Sequence, residues 1–304
     1  MIGTQRREWH RIGLLHGAAT SPLLLWLLTC LSAAANIATG LLHDVGTPAV
    51  QATALTIPLL LFAFLHGAVQ HRFRDLLVFA IIVVSVSNVF ENLSIATGFP
   101  FGRYRYSDKL GPKIFQVPVL ISLVFFAFGY LSWMLARVLV RAPARPVGHC
   151  SFAMPVVAAF VMVAWDLSFD PLASTLRQVW VWQDGGSFFG VPVSNFLGWY
   201  LTGYVFFQLY AFYLWIDRVP ELGACELQPR EYWLQPVVIY GTVAATVILS
   251  ALMVMTPESV VDQAGASWRI REVYAACGVV CLFTMGAFTT LCLFRIADLP
   301  IARR

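Results

Sequence analysis

Eight runs of about 20 apolar residues dominate this chain of 304 residues, and only short connections separate them. Charged residues make up 12% of the chain, about half of their share in a soluble globular domain. Apolar runs of this length cross the hydrocarbon core of a bilayer as helices. The sequence therefore predicts an all-α, polytopic membrane helical bundle with about eight transmembrane helices, at 22–42, 50–69, 76–97, 117–140, 152–169, 191–216, 234–255 and 273–294.

The connections are too short to hold a soluble domain, so residues 1–304 are predicted to form a single integral-membrane domain. Lysine and arginine are enriched on the cytoplasmic side of membrane proteins. If the N-terminal segment 1–21 is cytoplasmic, the inner segments carry 13 of these residues and the outer segments carry 7. This asymmetry predicts a multi-pass protein of the cell membrane with its N- and C-termini in the cytoplasm.

A parallel repeat of helices 3–4 and 5–6 is predicted in the middle of the chain. The string VPV occurs at 117–119 and at 191–193, each time twelve residues before Gly-Tyr. Glu91 lies 26 residues before the first VPV string, and Asp166 lies 25 residues before the second. Each unit thus consists of a helix that ends near a carboxylate, a loop with glycines and alternating aromatics, and a second helix. Two helices per unit preserve orientation, so Glu91 and Asp166 are predicted at equivalent depths.

Acids and amides gather at the ends of these helices: Asn88, Glu91, Asn92, Asp166, Asp170 and Asn195. Asp166 and Asp170 are four residues apart and share one helix face. Pro171 disfavours helical geometry at the preceding residue, so the fifth helix is predicted to end at Asp170. Ionisable side chains at membrane depth are costly, and they are functional candidates for that reason.

Apolar surroundings and a helix C-terminus both disfavour the charged form of a carboxyl group. A protonated carboxyl group in an aromatic-lined site is a general acid, and it can protonate an isolated carbon–carbon double bond. Tryptophan and tyrosine faces stabilise the resulting cation. Water then adds, or a second double bond attacks and closes a ring. In a purely structural alternative, Glu91 pairs with Arg103 or Arg105 and Asp170 caps a loop.

The usual patterns for cofactors and metals are missing from the sequence. The six cysteines show no metal spacing, there is no HxxxH pair, and no GxGxxG follows a strand. The sequence therefore predicts no cofactor, no resident metal and no nucleic-acid partner. Asp166 and Asp170 do form a DxxxD spacing that can hold Mg²⁺ and a diphosphate, which keeps a prenyltransferase as an alternative.

The strings ENLSIATGFPFGRYRYSDKLGP, WDLSFDPLA and WVWQDGGSFFGVPVSNFLGW resemble the integral-membrane carotenoid biosynthesis protein family. The resemblance covers about Asn88 to Trp199, which makes residues 88–200 the motif-bearing core. Characterised members of that family are hydratases of acyclic carotenoid ends. The resemblance implies cofactor-independent addition of water to the terminal C1–C2 double bond of an acyclic or monocyclic carotenoid. It also implies contact with membrane lipid and with other enzymes of the carotenoid pathway.

For this reaction, Glu91 or Asp166 is predicted to protonate the alkene, and Asp170 and Asn195 to place the water. The predicted substrate contacts are polar and aromatic residues of the same region: Asn88, Asn92, Phe101, Tyr104, Tyr106, Trp165 and Trp182. Three alternatives stay open. They are a carotenoid or terpenoid cyclase that uses the same protonation, a Mg-dependent prenyltransferase, and a non-enzymatic carotenoid-binding or transport protein.

Overall fold

The computed structural model describes residues 21–41, 47–142, 148–217 and 228–299. The predicted cytoplasmic segment 1–21 lies outside these residues apart from Ser21, and so do the last residues, 300–304. Short connections join the helices, so successive helices alternate in direction. The described residues contain eight long helices, namely α1 Pro22–Leu41, α2 Pro48–Gly67, α3 Phe73–Thr97, α4 Val119–Val140, α5 Cys150–Asp170, α6 Val193–Ile216, α7 Arg230–Met253 and α8 Ile270–Ala297.

Seven of the eight helices in the described part are long and apolar enough to cross a membrane. The exception is α6, which has 24 residues but contains many tyrosines and tryptophans together with polar Asn195 and Gln208. This architecture confirms the all-α polytopic bundle that the apolar runs predict. The most buried helices are α4 and α5, in which 72% and 61% of the apolar window is buried, against 22–39% in the other spanning helices. These two helices therefore form the centre of the bundle.

Each VPV string opens a helix, as the repeat predicts. Pro118 precedes the first residue of α4 and Pro192 precedes the first residue of α6, with ψ angles of 135° and 145° that lie outside the helical range. The first N–H groups of a helix have no partner within it, so proline costs no hydrogen bond at this position. Both aromatic loops therefore end at the same point relative to the helix that follows.

The end of α5 differs from the prediction. The α-helical geometry does stop at Asp170, but the chain continues through a π-helical turn, Pro171–Leu176. Asp170 itself keeps helical angles, with φ −57° and ψ −47°. A wider turn relieves the clash between a proline ring and the preceding carbonyl groups, so proline changes the helix here without ending it. The spanning segment consequently extends over Cys150–Leu176.

Three connections, 98–118, 177–192 and 254–269, lie at one end of the bundle, which we call the loop end. Each carries short strands that the sequence did not predict. The strands are β1 Tyr104–Tyr106, β2 Lys113–Ile114, β3 Val117–Pro118, β4 Trp180–Trp182, β5 Ser259–Val261 and β6 Ser267–Arg269. The antiparallel pairs are β1 with β4, β2 with β3 and β5 with β6. The first of these pairs joins the aromatic loops of the two predicted repeat units.

The register of β1 and β4 agrees with a two-fold relation between the units. Tyr104 lies opposite Trp182, and Tyr106 lies opposite Trp180. In the repeat, the first aromatic of one loop corresponds to the first aromatic of the other. The ladder therefore maps onto itself when the two units are exchanged, as expected for a parallel repeat whose axis runs along the membrane normal.

The first aromatic loop also packs closely against the start of α6. Gly102 has φ 116°, and a Cβ atom there would lie 3.1 Å from the ring of Pro192. The Ser194 hydroxyl donates a 2.9 Å hydrogen bond to the carbonyl oxygen of Phe101. Gly102 is thus required both for its backbone angle and for this close approach.

Candidate active site

Three carboxyl groups from two helices lie together near the loop end. Glu91 comes from α3, and Asp166 and Asp170 come from the last turns of α5; their exposed fractions are 3%, 2% and 1%. All three line one cavity of about 30 Å³. The repeat predicts equivalent depths for Glu91 and Asp166, and both side chains line this cavity.

Glu91 is held by two phenols from strand β1. Tyr104 and Tyr106 both donate hydrogen bonds to Glu91 Oε2, the second of them over 2.8 Å. Alternate residues of a strand point to the same face, so the spacing Tyr-x-Tyr delivers two donors to one carboxylate. The pairing of Glu91 with Arg103, one form of the structural alternative, is not observed, because both guanidinium contacts of Arg103 go to Asp184 at 2.9 Å.

Asp170 is held in the same manner by strand β4. The indole N–H groups of Trp180 and Trp182 donate to Asp170 Oδ1 over 3.0 and 3.3 Å. Each strand thus supplies two donors, at positions i and i+2, to the carboxylate of the helix that precedes it in the chain. Asp170 therefore does hold a loop in place, the one that contains β4, as the structural alternative states.

Asn195 joins the two aspartates. Its Nδ2 donates to Asp166 Oδ2 over 2.8 Å and to Asp170 Oδ2 over 2.6 Å. Asp166 and Asp170 are one helical turn apart on the same face of α5, and Asn195 lies in the first turn of α6, three residues after Pro192. Both N–H bonds of the amide are used, so the Asn195 oxygen is turned away from the aspartates.

Aromatic rings form the rest of the cavity wall. Phe125 of α4 stacks on Trp199 of α6 with ring centroids 4.3 Å apart, and Trp165 meets Trp199 edge-on at 5.6 Å. Phe101 lies beside the same indole at 6.5 Å. The cavity therefore combines carboxyl oxygens on one part of its surface with aromatic faces on another.

Most of the predicted substrate contacts line this cavity, namely Phe101, Tyr104, Tyr106, Trp165 and Trp182. Asn88 and Asn92 do not. Asn88 donates to Ser122 of α4 over 2.6 Å, and Asn92 accepts from the backbone N–H of Gln116 over 3.1 Å. They lie on helix faces that turn toward α4 and its preceding loop, so their part is to join α3 to its neighbour.

Three aromatic residues of the cavity are absent from the predicted set: Phe125, Trp180 and Trp199. For two of these residues, the sequence spacing could have predicted a place in the site. Trp180 alternates with Trp182, and Trp199 lies four residues after Asn195 on the same face of α6. Phe125 belongs to a continuous apolar run, in which no pattern distinguishes a cavity-lining residue from its neighbours.

The two phenols are outside the spanning helices, and their acidity is strongly changed. Burial, followed by the charge of the adjacent Glu91, raises the pKa of Tyr104 and of Tyr106 well above the usual value near 10. Both hydroxyl groups therefore remain protonated donors at neutral and mildly alkaline pH.

A larger apolar cavity, of about 180 Å³, adjoins the acid-lined one. Residues of α1, α2, α4, α5, α7 and α8 line it. Four residues line both cavities, and we call them the neck: Ile121, Val124, Trp165 and Trp180. A hydrocarbon chain in the larger cavity would therefore have one end directed at the carboxyl groups.

Fold and site together define a polytopic helical membrane protein with a buried cluster of acids at one end of the bundle. The profile of the carotenoid biosynthesis protein family matches residues 48–267. The matched region contains Glu91, Asp166 and Asp170, strands β1 to β5 and helices α2 to α7. The chain belongs to this family.

One curated relative is similar to part of the chain. It is the bisanhydrobacterioruberin hydratase of Haloarcula japonica, 32% identical over 125 residues, which are 40% of this chain and 40% of the relative. The match thus spans less than half the length of that relative. No solved structure matches the chain.

Proposed function

We propose that the protein is a cofactor-independent carotenoid hydratase, which adds water to the terminal C1–C2 double bond of an acyclic carotenoid end. The family supports a role in carotenoid biosynthesis, and the name of the relative supports hydration. The observation that carries the proposal is the cluster of Glu91, Asp166, Asp170 and Asn195, which lies in an aromatic-walled space beside an apolar cavity.

The hydrogen bonds favour Asp166 as the acid. Asp170 accepts bonds on both oxygens, two from indoles and one from Asn195, and this arrangement suits the anion. Asp166 accepts a bond only on Oδ2 among the described residues. Two carboxylates held by one amide repel each other when both are charged, so one proton is shared by the pair. That proton resides on Asp166 Oδ1, which accepts no hydrogen bond from the described residues.

Proton transfer from Asp166 Oδ1 to C2 forms the new C–H bond and leaves a tertiary cation at C1. The faces of Trp165, Trp199 and Phe125 surround the space and stabilise positive charge. A water molecule then bonds through its oxygen to C1 and loses a proton to Glu91, whose Oε1 accepts no bond from the described residues. The product is a tertiary alcohol, and proton exchange through water restores Asp166.

The size and polarity of the acid-lined cavity favour hydration over ring closure. A space of about 30 Å³ holds one or two water molecules when polar partners are present. The Asn195 oxygen and the Glu91 carboxylate supply such partners. A cyclase needs the same proton but must exclude water from the cation.

The carotenoid substrate, the surrounding lipid and the position in the cell membrane belong to the same proposal. The charge asymmetry supports an orientation with both termini in the cytoplasm and the loop end, with its acids, on the outer side. A site at membrane depth agrees with a substrate that is dissolved in the bilayer.

The proposal is tested by expressing the protein in cells that accumulate lycopene or γ-carotene, in water enriched in ¹⁸O, and analysing the pigments by chromatography and mass. Hydration gives a more polar pigment that carries ¹⁸O and has gained the mass of one water per reacted end. An unchanged mass with a shorter chromophore would indicate cyclisation. An unchanged pigment profile, with the protein present in the membrane, would contradict the proposal.

A further inference from the structure

A second buried polar cluster lies at the end of the bundle opposite the loop end. Arg137 lies 18 residues after Val119, the first residue of α4, which corresponds to about 27 Å of helix. Gln70 and His71 belong to the connection between α2 and α3, and Trp233 lies in the first turn of α7. The four polar side chains are buried, and the length of α4 separates them from the acids of the proposed reaction.

Arg137 carries a positive charge that no carboxylate of the described residues pairs with. Its side chain is fully buried. Nη1 donates to Gln70 Oε1 over 2.5 Å, and the guanidinium carbon lies 5.0 Å from the centre of the Trp233 ring. Nε and Nη2 donate to no atom within the described part of the chain. A guanidinium group stays charged in a protein, so its burial without an opposite charge is strongly unfavourable.

Neighbouring nitrogens share this lack of partners among the described residues. Gln70 Nε2 belongs to the amide whose oxygen accepts from Arg137, so it lies close to the guanidinium group. The indole N–H of Trp233 belongs to the ring that Arg137 faces, and His71 Nδ1 is a further example. Buried donors without an acceptor are rare, because each loses its hydration without compensation. Several N–H groups around one cation therefore favour an acceptor that is negatively charged.

The acids at this end of the bundle already have partners. Asp75 accepts from the Arg72 guanidinium over 2.9 and 3.0 Å and from the Tyr213 hydroxyl over 2.8 Å. Asp217 accepts from Arg72 and Arg74. These two acids thus balance the two arginines at the start of α3. They do not compensate the buried guanidinium group of α4.

The two histidines at this end are neutral. His66 Nε2 faces the Tyr232 carbonyl oxygen at 2.8 Å and therefore donates to it, while Nδ1 accepts from the Tyr130 hydroxyl. Burial, followed by the charge of Arg137, lowers the pKa of His71 to about 3. The described groups around Arg137 consequently leave one positive charge uncompensated.

We propose that this cluster binds a small inorganic anion, of which chloride is the simplest. A monatomic anion accepts hydrogen bonds from several directions, which suits the converging donors of Arg137, Gln70 and Trp233. A lipid phosphate carries a bulky headgroup and two acyl chains, which do not reach a fully enclosed guanidinium group. Water satisfies N–H donors but brings no charge to compensate the arginine. The anion joins the α2–α3 connection, α4 and α7.

Gln70→Glu provides the sharpest test, because it places a carboxylate on the side chain that Arg137 already contacts. This internal acid takes the place of the anion. Gln208→Glu is the control, the same change at a half-buried glutamine of α6 that donates to the Ser151 carbonyl oxygen. The purified full-length proteins are melted in detergent, in sodium chloride and in sodium gluconate of equal ionic strength. Bound chloride is counted by equilibrium dialysis against ³⁶Cl⁻.

We expect the wild type to bind about one chloride and to melt about 3 °C higher in chloride than in gluconate, because an anion that binds the folded state stabilises it. Gln70→Glu should lose the bound chloride and the difference between the salts, and Gln208→Glu should keep both. If Gln70→Glu does not fold, Arg137→Met removes the positive charge instead and should likewise abolish chloride binding. A wild type without bound chloride, or chloride binding that persists in these variants, would overturn the site.

Discussion

Tyr104 lies directly opposite Trp182 in the β1–β4 pair, with ring centroids 4.9 Å apart. Tyr104 donates to Glu91 in the first repeat unit, and Trp182 donates to Asp170 in the second. One cross-strand pair therefore couples the carboxylates of both units. A change in either aromatic loop is expected to affect both sides of the acid-lined cavity.

Asp166→Asn is expected to lower the hydration rate by about 10² to 10⁴, because the amide has no acidic proton to transfer. The amide has the same shape, so the protein is expected to accumulate as the wild type does. The rate is measured as labelled oxygen gained per purified protein. Asp184→Asn makes the same change at an exposed carboxylate of the same loop end and should keep full activity. Full turnover by Asp166→Asn would remove Asp166 from the role of acid.

Asn195→Asp replaces the donor between two aspartates with a third carboxyl group. Both hydrogen bonds from Asn195 are lost, and three acids are then crowded together, so we expect lower stability and loss of hydration. Melting temperature in detergent and pigment conversion are the measurements. Gln183→Glu, an amide-to-acid change at an exposed position beside Trp182, serves as the control. Unchanged stability in Asn195→Asp would mean that the amide does not bridge the aspartates.

Replacing Tyr104 and Tyr106 with phenylalanine tests the phenol donors. Each single change leaves Glu91 with one donor fewer and should cost about 1–3 kcal/mol of stability at neutral pH. Tyr200→Phe, on the half-buried surface of α6, should cost less. Thermal unfolding in detergent compares the three variants.

Tyr104 and Tyr106 also predict that the folded protein loses stability at alkaline pH. The raised pKa values of Tyr104 and Tyr106 mean that the fold favours their neutral forms. The stabilisation is therefore fully present below about pH 10 and is lost as the pH rises through the raised values. The melting temperature of the wild type should fall more steeply above pH 10 than that of the double phenylalanine variant. Parallel curves would show that the phenols ionise as freely in the folded protein as in the unfolded chain.

Tyr130→Phe should destabilise the protein without changing its chemistry. His66 Nε2 faces the Tyr232 carbonyl oxygen at 2.8 Å, so Nε2 carries the proton and Nδ1 accepts from the Tyr130 hydroxyl at 2.6 Å. Without that hydroxyl a buried acceptor is left unpaired, at a cost of about 1–3 kcal/mol. Tyr204→Phe, at the equivalent Gly-Tyr of the second unit, is the control. If hydration per folded protein also falls in Tyr130→Phe, the hydrogen-bonded pair of His66 and Tyr130 takes part in the reaction as well.

The spanning helices, the VPV helix starts and the carboxyl cluster could all be predicted from the sequence. Each depends on a local pattern: an apolar run, a proline before a helix, or an acid within an apolar segment. The shared cavity of Glu91 and Asp166 agrees with the equivalent depths that the repeat predicts.

The partners of the polar groups could not be predicted in the same way. Glu91 had basic residues nearby in sequence, but strand β1 turns two tyrosines to it and directs Arg103 outward to Asp184. Asn88 and Asn92 are close to Glu91 along α3, yet a helix turns by 100° per residue, so their amides reach Ser122 of α4 and Gln116 of the preceding loop instead. The larger cavity depends on gaps between helices, for which the apolar runs carry no signal.

The π-helical turn at the end of α5 has a consequence for the two aromatic loops. Thirteen positions separate Glu91 from Tyr104, and fourteen separate Asp166 from Trp180. The second unit thus has one additional residue between its acid and its strand, in the segment that contains the turn Pro171–Leu176. A π-helical turn holds one residue more than an α-helical turn. The insertion is accommodated within the helix, and so the tryptophans of β4 keep their alignment with the tyrosines of β1 although the two halves of the protein differ in length.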